Sequence, residues 1–102
     1  MKIKYDLKKS GLYIFLEGEL DDCCGERARS EIDELSDRYS GVGSVVFNMK
    51  NLSFMDSTGI GILIGRYKRL KKRGVSVFIQ NPSFAVDKVF QTSGIYTLIP
   101  KI

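Results

Sequence analysis

The sequence contains no histidine, and only two prolines and two cysteines among its 102 residues. Without an imidazole, no serine here can belong to a conventional Ser-His-Asp triad. The commonest metal ligand is missing too. Cys23 and Cys24 are adjacent, which suits neither an ordinary structural disulfide nor a four-ligand metal site. No metal and no cofactor are expected. The chain also lacks a G-x-G-x-x-G fingerprint and a Walker-type loop, so it carries no phosphate cradle of its own. No apolar run approaches the roughly 18 to 20 residues needed to span a bilayer. The first residues, MKIKYDLKK, alternate and contain no hydrophobic signal core. These absences point away from an enzyme and from the membrane, and the expected location is the cytoplasm.

What is present suits a folded globule. A composition of 43% hydrophobic and 27% charged residues is too apolar and too mixed in sign for a disordered chain. The length fits one domain over residues 1–102, with a core of modest stability. The net charge of +4 conceals a split. Residues 1–40 hold seven basic and ten acidic side chains, and residues 41–102 hold nine basic and two acidic. Much of the positive half is one cluster: Arg66, Lys68, Arg69, Lys71, Lys72 and Arg73. Such asymmetry can steer an encounter with a partner.

Residues 2–8 alternate, with Ile3, Tyr5 and Leu7 on one face, which predicts an edge strand with one wet side. The turn ending at Gly11 joins it as a hairpin to an apolar strand over 12–17, expected to be covered on both faces. Residues 18–25, GELDDCCG, read as a polar loop. Ala28, Ile32, Leu35 and Tyr39 form one stripe of a helix over about 25–39. Residues 44–49 are β-branched and apolar, as in a buried central strand. A second helix runs to about Lys72 and ends at Gly74. In it, Ile60, Leu63, Ile64, Tyr67 and Leu70 are assigned to the core, and Arg66, Arg69 and Arg73 to a solvent stripe. Residues 75–79 form another buried strand. Asn81 and Pro82 are placed at the start of a short helix that buries Val86, Val89 and Phe90 and breaks at Gly94. Residues 95–99 are read as a last strand or extended tail. The order β-β-α-β-α-β-α-β predicts an α/β fold, a mixed and mostly parallel sheet with packed helices.

The segment Asp56-Ser57-Thr58-Gly59 lies between a strand and the basic helix. Asp56 or Ser57 can cap that helix, and the glycines allow close backbone approach. A hydroxyl at a helix N-terminus tolerates added negative charge. A phosphate on Ser57 would therefore bring about two negative charges to a neutral surface without unfolding the domain. Plain capping and turn chemistry explains the same residues. The basic stripe has three readings: a solvated face, a docking surface for an acidic partner, or a nucleic-acid surface. Tyr67 falls on the apolar stripe and leaves the basic face without the exposed aromatics of a nucleic-acid module, so no direct nucleic-acid binding is expected. Asp21 and Asp56 are candidates for acid–base work, but no substrate pocket is marked by the sequence. Cys23 and Cys24 have no basic neighbour to lower a thiol pKa, so chance use of small side chains fits them better than a redox sensor.

The run N51-LSFMDSTGIGILIGRYKRLKKRG resembles the central motif of anti-sigma factor antagonists, members of the STAS domain family. The likeness continues through GELD at 18–21 and NPSFAVDKVFQTSGI at 81–95. It implies a STAS-like fold and a partner-switching role of the sporulation type. The serine matching Ser57 would be phosphorylated by an anti-sigma factor that is itself a serine kinase. The unphosphorylated form would bind that kinase and free the sigma factor, and a serine phosphatase would restore it after phosphorylation. The likeness places Asp21, Asp56, Ser57, Thr58 and Gly59 on the partner-binding surface, with Thr58 as a second hydroxyl beside the acceptor. It also implies a monomer. The Asp-Cys-Cys loop after Asp21 departs from the family's small or histidine residues, and a terminal helix of longer relatives is expected to be missing after Ile102. A phosphorylation-independent STAS regulator or scaffold, in another stress or envelope pathway, is the alternative.

Overall fold

Three kinds of local pattern set the frame: an alternating hairpin, short β-branched runs, and amphipathic helices. The computed structural model describes residues 1–102. The strands are β1 (Lys2–Lys8), β2 (Gly11–Leu20), β3 (Ser44–Asn48), β4 (Leu52–Met55) and β5 (Ser76–Gln80). The helices are α1 (Gly25–Arg38), α2 (Ser57–Lys71) and α3 (Phe84–Ser93), followed by a single 3-10 turn at Ile95–Thr97. The sheet runs β1-β2-β3-β5, and β4 pairs with the far end of β2. Only β1 is antiparallel to its neighbour; the other pairs are parallel. The expected mixed, mostly parallel sheet with packed helices is what forms.

One face of the sheet carries the core. Leu12, Ile14 and Leu16 of β2, Val45 and Phe47 of β3, and Val77 and Ile79 of β5 cluster with Ala28, Ile32 and Leu35 of α1, Leu63 and Leu70 of α2, and Val86 and Phe90 of α3. On the opposite face, the register sets Tyr13, Val46 and Phe78 side by side. Of these only Val46 is buried. The strand at 12–17 is therefore sealed on one face and half-covered on the other, where complete cover was expected. At the hairpin edge, Tyr5 and Leu7 are 42% and 49% exposed. Only Ile3 of that face reaches the core, and the Tyr5 hydroxyl instead meets that of Tyr39 at 2.9 Å.

Several boundaries differ from expectation for identifiable reasons. The polar segment Gly18–Leu20 is strand, because β4 supplies it with a parallel partner. Gly18 sits at φ 103°, a conformation that favours glycine, where the register shifts between Gly18 and Glu19. Ser83, not Asn81, caps α3: its Oγ accepts from the Val86 N–H at 3.3 Å. Asn81 instead adopts a left-handed turn at φ 55°. Residues 95–99 do not form a strand. Gly94, at φ 75°, redirects the chain into the 3-10 turn, and Ile95 and Ile99 are buried at helical spacing. Beyond it the tail touches β5 at one bridge, Ile79 to Lys101.

The largest correction concerns the basic stripe. Arg66 was expected in solvent, yet only 8% of it is exposed. Its Nε lies 2.7 Å from Oδ1 of Asp33 on α1. That contact is an ion pair whose N–H is not well aimed at the oxygen. Arg69 reaches Asp33 and Asp37, and Arg73 reaches Asp37 at 2.9 Å. Burial draws the Arg66 guanidinium below the usual arginine range, while Asp33 acts to restore it. The acidic and basic parts of the sequence thus meet within one molecule, at the α1–α2 contact. Lys68, Lys71 and Lys72 keep the solvent positions.

Candidate functional site

The parallel pairing of β2 with β4 builds the site. Leu20 lies opposite Met55 in the register, so Asp21 and Asp56 each follow the last paired residue of adjacent strands. Open α/β sheets place their functional residues at this carboxyl end of the strands. From Asp56 the chain turns directly into α2. Asp56 is extended, at φ −119° and ψ −169°, and caps the helix. Its Oδ1 accepts from the Thr58 N–H at 2.9 Å and from the Gly59 N–H at 3.3 Å. Between the two capping interpretations allowed by the sequence, the structure selects Asp56. Ser57 becomes the first helical residue, with its side chain exposed.

This arrangement modifies one sequence-based expectation. Amides at the helix start were expected to stand open to added negative charge. Two of them, those of Thr58 and Gly59, are already satisfied by the Asp56 carboxylate. A group attached to Ser57 therefore meets fewer free amides than an uncapped helix start would offer.

Gly59 has a separate role. A Cβ there would stand 2.7 Å from the Leu20 carbonyl oxygen and 2.9 Å from Cγ of Met55. Only hydrogen at this position lets the first turn of α2 rest against the end of β2. Gly25, the first residue of α1, also packs closely on the other side, where a Cβ would lie 2.7 Å from Cδ1 of Ile62, the movable tip of a side chain, and 3.3 Å from Cγ2 of Thr58. The loop carrying Asp21 is thereby held against the start of α2.

Within that loop, Oδ1 of Asp21 accepts from the Cys23 N–H at 3.1 Å, which folds the chain back on itself. The Cys24 thiol donates to the Glu19 carbonyl at 2.9 Å. Both cysteines are free thiols. Asp21 and then Asp22 push the exposed Cys23 thiol above its ordinary pKa, which disfavours the reactive thiolate. Asp21, Asp22 and Cys23 hold potential ligand atoms within 4.8 Å of one another. They lie ahead of the α1 N-terminus, whose dipole opposes a cation.

On its other flank, Ser57 opens onto a groove of about 390 Å³ lined by Ser57, Ile60, Lys88, Val89, Thr92 and Ser93. The α3 side of this groove was not singled out in the sequence. Helical periodicity marks Val86, Val89 and Phe90 as apolar, but it does not say which helix faces α3. The fold brings α3 against β4 and the start of α2.

Comparison with known proteins agrees with this geometry. The STAS domain family model matches residues 3–102. An anti-sigma F factor antagonist of Paenibacillus polymyxa is 30% identical over 100 residues, covering 98% of this chain and 85% of that protein. The structure of the anti-sigma factor antagonist SpoIIAA in its unphosphorylated form superposes with a TM-score of 0.79 at 31% identity, over 99% of this chain and 88% of the other. The phosphorylated form of the Bacillus cell fate determinant SpoIIAA superposes with a TM-score of 0.71 at 30% identity, over 99% and 91%.

Proposed function

This chain belongs to the STAS domain family, and we propose that it works there as an anti-sigma factor antagonist switched by phosphorylation of Ser57. The unphosphorylated form binds an anti-sigma factor that is a serine kinase, and the sigma factor is released. Transfer of a phosphoryl group to Ser57 ends that binding, and a serine phosphatase reverses it. In this reading residues 1–102 act as one domain and as a monomer. Asp21, Asp56, Ser57, Thr58 and Gly59 form the recognition surface. The observation that carries the proposal is the placement of Ser57: an exposed hydroxyl on the first residue of α2, fixed by the Asp56 cap. A relative solved in both the unphosphorylated and the phosphorylated form supports the same reading.

The physical logic is economical. Binding needs a well-ordered surface with an uncharged hydroxyl at position 57, and the cap orders it. A phosphoryl group adds about −1.5 to −2 of charge at pH 7. It would sit next to Asp56, near Asp21, and inside any complementary interface. Like charge and desolvation then oppose rebinding. The fold itself is spared, because negative charge in the first turn of a helix is compatible with its dipole.

Incubation with ATP and the cognate anti-sigma factor, followed by intact-mass measurement, tests the proposal. The expected result is the gain of one phosphate, absent in Ser57→Ala. Ser57→Asp should retain the fold and lose partner affinity by at least tenfold in titration calorimetry. Tight binding with no phosphate transfer, and undiminished by Ser57→Asp, would instead identify a phosphorylation-independent STAS regulator or scaffold.

A further inference from the structure

We propose that Lys88 is the counter-charge for the phosphoryl group on Ser57, closing on it across the groove between α2 and α3. This rests on the reading of Ser57 as the phosphoacceptor. Lys88 and Ser57 line the same groove, and Lys88 brings the only cationic side chain to it. Few local donors compete with Lys88, since of the first amides of α2 only that of Ser57 itself lies outside the Asp56 cap. Asp56 occupies the amides of Thr58 and Gly59. The Thr92 hydroxyl donates to the Lys88 carbonyl at 2.9 Å, and the Ser93 hydroxyl to the Phe90 carbonyl at 2.9 Å. Arg66 is nine residues along α2, roughly 13 Å along the helix axis, and is committed to Asp33.

Lys88 is correspondingly uncommitted. It is exposed and forms no salt bridge. Its neighbour Asp87 is directed away, accepting from Tyr96, Lys101 and Gln91. The Lys88 ammonium rests 5.0 Å from the centroid of the exposed Phe84 ring, a weak contact that a flexible side chain can leave. An incoming dianion is a far stronger attractor for it than a phenyl face. The consequence is regulatory: the modified serine is held against its own domain, over the groove. Phosphorylation would then both charge the recognition surface and cover one side of it.

Three charged groups bear on such a phosphate. Asp56 beside it and Asp21 in the adjoining loop raise its second pKa, and Lys88 across the groove lowers it. Phosphoserine installed at position 57 during translation isolates the Lys88 contribution, because no kinase is needed. The pKa is then read by phosphorus NMR titration. Lys88→Gln should raise it by about half a unit, the size expected for one unit charge a few ångströms away across water. Lys88→Arg should keep the parent value. Lys72→Gln, on the exposed end of α2, should leave it unchanged. A Lys88→Gln titration that matches the parent, or a shift equalled by Lys72→Gln, would overturn the assignment. A kinase that leaves Ser57 unmodified would overturn the acceptor reading alone, since this titration does not depend on it. Lys88 is exposed, so the substitution does not threaten folding.

Discussion

A single methyl group at Gly59 would lie 2.7 Å from the backbone carbonyl oxygen of Leu20, so backbone must shift to admit it. Gly59→Ala should therefore destabilise the domain by roughly 1–3 kcal/mol, as overpacking does, read from the midpoint of urea unfolding. Asp56 poses a different problem, because it caps α2 and is also proposed to face the partner. Removing its carboxylate as Asp56→Ala should cost about 1 kcal/mol of stability through the lost cap. Asn caps almost as well as Asp, so Asp56→Asn should leave stability within a few tenths of a kcal/mol of the parent. Partner affinity measured on the Asn variant then reports the charge itself. Unchanged affinity in Asp56→Asn would restrict Asp56 to a capping role. The residues of this segment were legible in the sequence because capping is a local contract, settled within four positions. The identity of the cap was not, since Asp56 and Ser57 both satisfy the composition rule.

At the scale of elements, the pairing of α1 with α2 decides what the arginines do. A helical stripe of Arg66, Arg69 and Arg73 looks the same from the sequence whether it faces water or another helix. Here Asp33 and Asp37 occupy the matching face of α1. Loss of Asp33 would leave the Arg66 guanidinium poorly solvated and without its partner. Asp33→Ala should cost about 1–3 kcal/mol, the penalty for an unsatisfied polar group. The upper end is not expected, because Asp33 and Arg69 retain partial contact with water. A double variant, Asp33→Leu with Arg66→Met, should recover most of that loss, since an apolar pair of similar volume avoids both desolvation costs. Failure of the double variant to recover would mean that the pair determines helix register and does more than neutralise charge. Thermal unfolding of the parent, Asp33→Leu, Arg66→Met and the double variant, taken as a double-mutant cycle, separates the two.

Across the whole molecule, the same ion pairs couple stability to pH. Hydrogen bonds from Arg69, then Arg73, hold the Asp37 carboxyl below the usual carboxylate range. Asp87 is lowered in the same direction, first by the Tyr96 hydroxyl and then by Lys101. A depressed folded-state pKa means that the unfolded chain takes up its proton first as pH falls. The stabilisation is complete above the ordinary carboxylate pKa of about 4 and is lost as pH drops through the lower folded values. Stability should therefore be flat from about pH 5 to 7 and fall below about pH 4. The combined Asp37→Asn and Asp87→Asn variant should show a shallower acid limb in urea titrations at successive pH values. Asp37 is exposed and Asp87 keeps part of its side chain in water, so the change in slope should be small, and an unaltered limb would assign the acid sensitivity to other groups.

The three helices and the strands β1, β3 and β5 were legible in the sequence, because hydrophobic period is a property of neighbouring residues; β4, the end of β2 and the 3-10 turn were not. The sequence also marked the hairpin, the stop at Gly74, the α2 entry at Asp56-Ser57, and the family motif around it. The tertiary structure alone decided which faces meet. The pairing of β4 with β2 turned a polar loop into strand and set Asp21 beside Asp56. The docking of α1 against α2 removed Arg66 from solvent. The turn at Gly94 withdrew residues 95–99 from the sheet. The seating of α3 carried Lys88 to the groove of Ser57, 31 positions away in the chain. Each of these is a contact between elements distant in sequence. Its free energy depends on buried area, register and matched charge across a shared surface, and no local pattern encodes that surface.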